Sequence, residues 1–159
     1  DILRAMRRRH TTDTMRKISE YAGTDITFSW DIICGFPGET NELFNETMNL
    51  VAQTKPIKIH AFPFSPRPGT PAADMPNQVN RSISKQRVKI ISGAADKNCN
   101  DFMRAHIGQS VPVLVEENNN ARTPHDIPTK IIGAPIPSRT ICNVKLVDIV
   151  NGEYIATVI

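Results

Sequence analysis

Residues 31–40 read DIICGFPGET: an apolar, β-branched run that breaks into a turn holding Gly35, Pro37 and Gly38, then meets a helix start at Thr40. Three readings of this stretch compete: a phosphate cradle, a plain strand-to-helix corner, or one wall of a ligand site. A P-loop needs a lysine after its last glycine, and none is present. The dinucleotide fingerprint GxGxxG also fails, because Gly35 and Gly38 are three residues apart. The cradle is therefore excluded, and from local spacing alone the two glycines turn a corner. Asp31, on the polar side of the same run, keeps the ligand-wall reading open.

Upstream, Ile26, Phe28, Trp30, Ile32 and Cys34 alternate with Thr27, Ser29, Asp31 and Ile33. That period of two predicts a strand with an apolar and a more polar face. It suits an α/β barrel whose mouth holds a ligand, and equally a sheet with one exposed side. Downstream, Leu43, Phe44, Thr47, Leu50 and Val51 fall at helical spacing after Thr40, a good N-cap. The stretch PIKIHAFPF, 56–64, then predicts a second strand. Strand, helix and strand make a βαβ unit with parallel strands, and ligands of such units sit at the carboxyl ends of the strands. Those ends are CGFPGET and FPFSPRPGTPAA.

The second end holds five prolines between Pro63 and Pro76, which predicts a stiff, largely extended loop. Arg67 sits in its middle. It either grips a carboxylate or phosphate through its planar fork or is a solvated loop arginine. His60 fits better as a packed strand residue than as a base. Further upstream, the spacing of Met15, Ile18 and Ala22 predicts a short helix stopped at Gly23. The run Arg7–Arg8–Arg9 reads as a charged helix end with RNA contact as the alternative.

From Ser82 to Arg104 the pattern is helical, with Ile83, Arg87, Ile91, Ala94, Asn98 and Phe102 on one stripe. Six basic and two acidic side chains lie between Arg81 and Arg104. Beyond Ile107 come short β-rich runs, SVPVLVEE, TICNVKLVDIV and EYIATVI, around a polar loop NNNARTPHD. The last two are joined by Asn151–Gly152, a strong hairpin signal. Four or five short strands in this space predict a small β-barrel of oligonucleotide-binding type. Three parts follow: residues 1–80, a basic linker helix at 81–106, and a β-domain at 107–159.

The net charge of +3 is unevenly spread: residues 1–106 carry 15 basic and 11 acidic side chains, residues 107–159 carry 4 and 5. Attraction for a polyanion belongs mainly to the first two thirds. Hydrophobic residues at 40% and charged residues at 22% are ordinary globular values. No apolar run approaches a membrane span. The chain shows no signal-peptide pattern, and Cys34, Cys99 and Cys142 are too far apart for a local metal motif, which fits reduced thiols and a cytoplasmic setting.

Three stretches, MRRRHTTDTM, DIICGFPGETNELFNETM and HAFPFSPRPGTPAADMPNQV, followed by a basic helix and a small β-domain, resemble the carboxy-terminal part of a radical S-adenosylmethionine methylthiotransferase. The wording HAFPFS with RPGTPAADMPNQV is most similar to the branch that acts on threonylcarbamoyladenosine beside the tRNA anticodon. Related branches act on isopentenyladenosine in tRNA or on a ribosomal-protein aspartate. A non-catalytic RNA-binding protein reusing the architecture is the rival reading.

The resemblance implies the end of a partial (β/α) radical-SAM barrel followed by a TRAM-like β-barrel. It implies S-adenosylmethionine and two [4Fe–4S] clusters as cofactors and tRNA as partner. It places Ile33, Gly35, Phe36, Phe62 and Pro63 near the adenosine, with Asp31 and Arg67 at the polar end of that pocket. The superfamily's GxIxGxxE pattern is met at Ile33 and Gly35, has Asp31 in place of its first glycine, and finds its glutamate, Glu39, one residue late. RNA contact is expected from Lys85, Arg87 and Lys89 on the helix and from Arg122, Lys130, Arg139 and Lys145 on the barrel. The radical cluster needs a CxxxCxxC loop, yet no two cysteines are closer than 43 residues. The resemblance therefore implies a fragment, not catalytic alone, whose cluster ligands lie in a missing amino-terminal part of the same protein.

Overall fold

The computed structural model describes residues 13–18, 20 and 26–159. The chain divides into two compact units, one reaching Cys99 and the other beginning at Asn100. In the first, residues 13–18 form a helix (α1) with Met15 buried and Ile18 40% exposed. Ala22, Gly23 and the Arg7–Arg9 run lie outside the described residues.

The predicted βαβ unit is present. Strand β1 (Ser29–Cys34) leads through the glycine turn to helix α2 (Asn41–Thr54) and strand β2 (Lys58–Pro63). The strands pair in parallel from Ser29 opposite Lys58 to Cys34 opposite Pro63. Thr40 caps α2 as its sequence position predicts, Oγ1 accepting from the Leu43 amide at 3.3 Å. The helix ends at Lys55, whose left-handed backbone (φ 45°) sends its N–H to Val51 O, and Pro56 then forbids continuation. One face of the strand pair is covered: Cys34, Phe44, Val51 and Ile91 form the core, with Trp30, Ile32, Ile59 and Ala61 against it. Burying side chains the size of Phe44, Val51 and Ile91 stabilises the fold by about 1.5–3 kcal/mol each.

Ile91 belongs to helix α3 (Arg81–Ala105). Asn80 starts it, its Oδ1 accepting from the Ser82 amide at 2.9 Å. The buried stripe runs through Ser84, Arg87, Ile91 and Ala95, while Ile83 is 41% exposed. The expected stripe thus begins one residue late, because the helix meets the turn at Gly35, where only a short side chain fits. Between β2 and α3 the proline-rich loop is not wholly extended. Pro71–Ala73 forms a 3₁₀ turn, for which the fixed φ of Pro71 is suited, and the Gln78 amide staples it by donating to the carbonyls of Ala72, Ala73 and Met75.

The second unit is a closed five-stranded barrel of β3 (Ser110–Val115), β4 (Asn120–Arg122), β5 (Pro128–Ile132), β6 (Ile141–Val150) and β7 (Glu153–Val158). Around it the order is β3-β4-β5-β7-β6, with β5 and β7 parallel and every other pair antiparallel. Closure removes the sheet edges that would otherwise invite aggregation. Val113, Val115, Val144, Leu146, Tyr154 and Ala156 fill the interior, and the Tyr154 hydroxyl donates to Met103 O at 3.3 Å. The Asn151–Gly152 turn has φ of 52° and 79°, as a hairpin of this kind requires. The segment expected to be a polar loop contains β4. Asn118 and Asn119 adopt left-handed backbones (φ 56° and 59°), which asparagine tolerates, and so return the chain into pairing with β3. Among the described residues no helix is long and apolar enough to cross a membrane.

Gly35 has φ +79°, and a Cβ there would stand 1.9 Å from Ser84 Oγ and 2.6 Å from Ser84 Cβ. Gly38 has φ +81° with open space around it. Left-handed strain alone costs alanine about 1 kcal/mol, and forced overpacking adds about 1–3 kcal/mol. Urea unfolding should therefore show Gly35→Ala destabilised by about 3 kcal/mol and Gly38→Ala by about 1 kcal/mol; equal losses would refute the close approach of α3.

Candidate cofactor wall at the ends of two parallel strands

Alternation along β1 and β2 leaves one side of the pair open. On it stand Ser29, Asp31 and Ile33 beside Lys58, His60 and Phe62, with Asp31 opposite His60 and Ile33 opposite Phe62. Ile33 is 59% and Phe62 56% exposed. Two large apolar side chains side by side at the carboxyl ends of parallel strands form a surface suited to a flat, weakly polar ring, with a carboxylate next to it. His60, expected to pack within its strand, is exposed on this same face.

The turn beyond β1 completes the wall. Phe36 meets Phe64 edge to face, ring centroids 5.2 Å apart. The Phe64 N–H donates to Cys34 O at 2.7 Å, which holds the two strand ends together past the last paired residues. Pro63 is half-buried opposite Cys34. Gly35 is buried with its α-carbon against Ser84, so it shapes the turn more than it presents a surface. Arg67 is exposed on the loop after β2, where its carbonyl accepts from both the amide and the hydroxyl of Thr70, at 3.2 and 2.8 Å.

Behind the turn lies a buried polar cluster that the sequence reading did not assemble. Arg87 is 5% exposed. Its Nη1 donates to Glu39 Oε2 at 2.9 Å and to Glu39 O at 3.0 Å, and its Nη2 donates to Asn41 Oδ1 at 2.9 Å. The guanidinium also lies 5.3 Å from the centre of the Phe44 ring. The same Glu39 carboxylate oxygen accepts from the Gly35 amide. This corrects the expectation that Arg87 faces RNA: its donors are turned inward and committed to Glu39 and Asn41, whereas Lys85 and Lys89 on the same helix are exposed. The signal available beforehand was that Arg87 falls on the apolar stripe of α3.

The barrel cations are similarly sorted. Arg122 pairs with Asp126 at 2.9 Å and with Glu116 at 3.4 Å. The Lys130 ammonium donates to Asn118 O at 2.7 Å and to Asn120 Oδ1 at 3.0 Å. Lys145 and Arg139 are exposed, the latter on a groove it lines with Leu114, Glu116, Glu117 and Asn120. Near the start of the barrel, the rings of Phe102, His106 and His125 cluster with centroids 4.1–6.0 Å apart.

No protein-family model matches the chain. Threonylcarbamoyladenosine tRNA methylthiotransferase MtaB of Rickettsia prowazekii is 41% identical to it over 133 residues, 82% of this chain and 31% of the relative. The tRNA-2-methylthio-N(6)-dimethylallyladenosine synthase of Zymomonas mobilis is 34% identical over 168 aligned positions, 97% of this chain and 37% of the relative. The enzyme of that name from Bartonella tribocorum is 40% identical over 119 residues, 73% of this chain and 26% of the relative. In class, then, this is a βαβ unit with an open strand-end wall, followed by a small closed β-barrel. The chain belongs to the radical S-adenosylmethionine methylthiotransferase family, of whose curated members it spans about a third.

The Ile33–Phe62 wall, apolar and exposed with Asp31 beside it, has the polarity that an adenosine moiety would need. Iron–sulfur clusters do not fit these residues: among those described, no three His, Cys, Asp or Glu side chains are grouped to hold a metal, and Cys34 lies in the core.

Burial, reinforced by the Glu39 charge and opposed by Arg87, pushes the Cys34 thiol up to about 11 from 9.0. Because the folded value is the higher, the protonated thiol's contribution to stability is complete below pH 9 and is lost as pH rises through about 11. Iodoacetamide at pH 8 should leave Cys34 unmodified in the folded chain while labelling it rapidly in urea; equal rates in both conditions would contradict its placement.

Proposed function

We propose that the chain is the carboxy-terminal portion of a tRNA methylthiotransferase, in which the open face of β1 and β2 binds the adenosine of S-adenosylmethionine and the barrel and α3 hold tRNA. The observation that carries it is the Ile33–Phe62 pair, apolar yet more than half exposed at the strand ends. Isolated exposed apolar residues are ordinary, but an adjacent pair flanked by Asp31 and by the Phe36–Phe64 rings is a built surface. In this reading the βαβ unit is the end of a partial (β/α) barrel and the closed barrel is a TRAM-like module.

S-adenosylmethionine held on this wall would supply the radical chemistry of a methylthiolation. This chain's residues bind and orient. Ile33 and Phe62 floor the adenine, Phe36 and Pro63 set its edge, Asp31 meets a ribose hydroxyl or the amino group, and Arg67 reaches the carboxylate or an RNA phosphate. On α3, Lys85 and Lys89 are placed to meet phosphates; on the barrel, Lys145 and Arg139 are.

The substrate assigned is threonylcarbamoyladenosine, supported by HAFPFS and the proline-rich wording after it and by the similarity to the Rickettsia enzyme. The dimethylallyladenosine synthases match at 34–40% identity, which makes N6-isopentenyl-type adenosine the second reading.

Mass analysis of tRNA nucleosides from cells expressing the complete enzyme should show the 2-methylthio derivative of threonylcarbamoyladenosine. The dimethylallyladenosine derivative instead would move the assignment to the second reading, and neither product would overturn both. In the same enzyme, Phe62→Ala should weaken S-adenosylmethionine binding about tenfold, the scale of a lost aromatic contact. It should change stability by no more than about 0.5 kcal/mol, as for an exposed residue.

A further inference from the structure

The turn between β1 and α2 is held from a distance. Gly35 opens it and Glu39 closes it, and the Glu39 carboxylate reaches back to the Gly35 amide. The Glu39 N–H donates to Phe36 O, and the Gly38 N–H donates to Asn77 O, both at 2.9 Å. A carboxylate can take several orientations about its own bonds; this one is fixed because Arg87, 48 residues on, grips both its Oε2 and its backbone carbonyl. The second arm of the guanidinium is fixed in turn by Asn41, at the first turn of α2.

Stability alone does not call for such a device. A buried ion pair contributes little beyond a well-packed apolar replacement of equal volume, since desolvation offsets the attraction. What the pair supplies is a single geometry. A planar fork serving three acceptors from two nitrogens admits one arrangement, which a lysine, a point charge on a flexible stem, does not impose.

We infer that Arg87 is a positioning residue for the cofactor wall: through Glu39 it fixes the Gly35 amide and so the orientation of Ile33 and Phe36 on either side of it. The inference rests on the reading of that wall as the adenosine site. Arg87 touches no cofactor atom and acts through the turn.

The test uses the intact, cluster-loaded methylthiotransferase that carries this chain, with three readouts: S-adenosylmethionine affinity by equilibrium dialysis, thermal melting, and hydrogen exchange at the Gly35 amide. Arg87→Lys keeps the charge beside Glu39 and should keep the melting temperature within a few degrees. It should nevertheless raise the Kd about tenfold, equivalent to about 1.4 kcal/mol, and speed exchange at Gly35 to a similar degree. Glu39→Gln, which keeps an acceptor of the same shape, should raise the Kd less, about threefold, and provides the decisive comparison if Arg87→Lys fails to fold. Gln86→Ala, exposed on the same helix, should leave all three readouts unchanged. Wild-type affinity and exchange in both Arg87→Lys and Glu39→Gln would overturn the inference, as would losses that simply follow melting temperature across all variants. A wild type that binds no S-adenosylmethionine, while Arg87→Lys still accelerates Gly35 exchange, would instead reject the cofactor reading and leave the positioning role standing.

Discussion

The ion pair of Arg87 with Glu39 is the constraint on which the first unit depends. Both side chains are almost wholly out of water, 6% and 11% exposed, so each must be satisfied by the other and by its neighbours. Removing one partner from such a pair typically costs about 3–5 kcal/mol, because an uncompensated charge remains buried. The requirement fixes more than two residues. It sets the depth at which α3 lies against the turn, which is why residue 35 has no side chain and residue 84 has a short one. It also carries the left-handed conformation of Gly35, from which the chain leaves β1 and enters α2.

From that constraint the chemistry of the open face follows. With α2 and α3 packed on Trp30, Ile32 and Cys34, the alternation of the strands leaves Asp31, Ile33, His60 and Phe62 on the other side. The same packing takes Cys34 out of reactive chemistry, its thiol held protonated by burial, so the cysteine nearest the wall is a core residue. Charge is handled the same way in the barrel. Arg122 and Lys130 are tied to Asp126, Glu116 and the asparagine turn, and the exposed cations are fewer than the composition implies.

Much of this was legible in the sequence because it is local. The period of two in 26–34, the Thr40 cap and the Asn151–Gly152 hairpin each depend on residues within a few positions of one another. The barrel followed from several short β-rich runs, yet β4 did not, since three residues hold too little pattern and its turn relies on two asparagines bending left-handed. The open wall was half visible: Asp31 and Ile33 were placed on one face, but the partnership of Ile33 with Phe62 needs the parallel register. Arg87 was counted among the cations of a basic helix although its stripe position pointed inward. Its partner lies 48 residues away in a turn that reads locally as a corner, and no period or spacing links the two. The late glutamate of the GxIxGxxE pattern acquires its role only once α3 is packed against it.

A double-mutant cycle on Arg87→Met and Glu39→Leu, measured by urea unfolding, tests this account most directly. If the pair governs the turn, each single substitution is strongly destabilising and the double mutant recovers much of the loss, with a coupling energy of at least about 2 kcal/mol, as for a buried charge pair. A coupling near zero would mean that the two side chains act independently, and would contradict the central place given to their interaction.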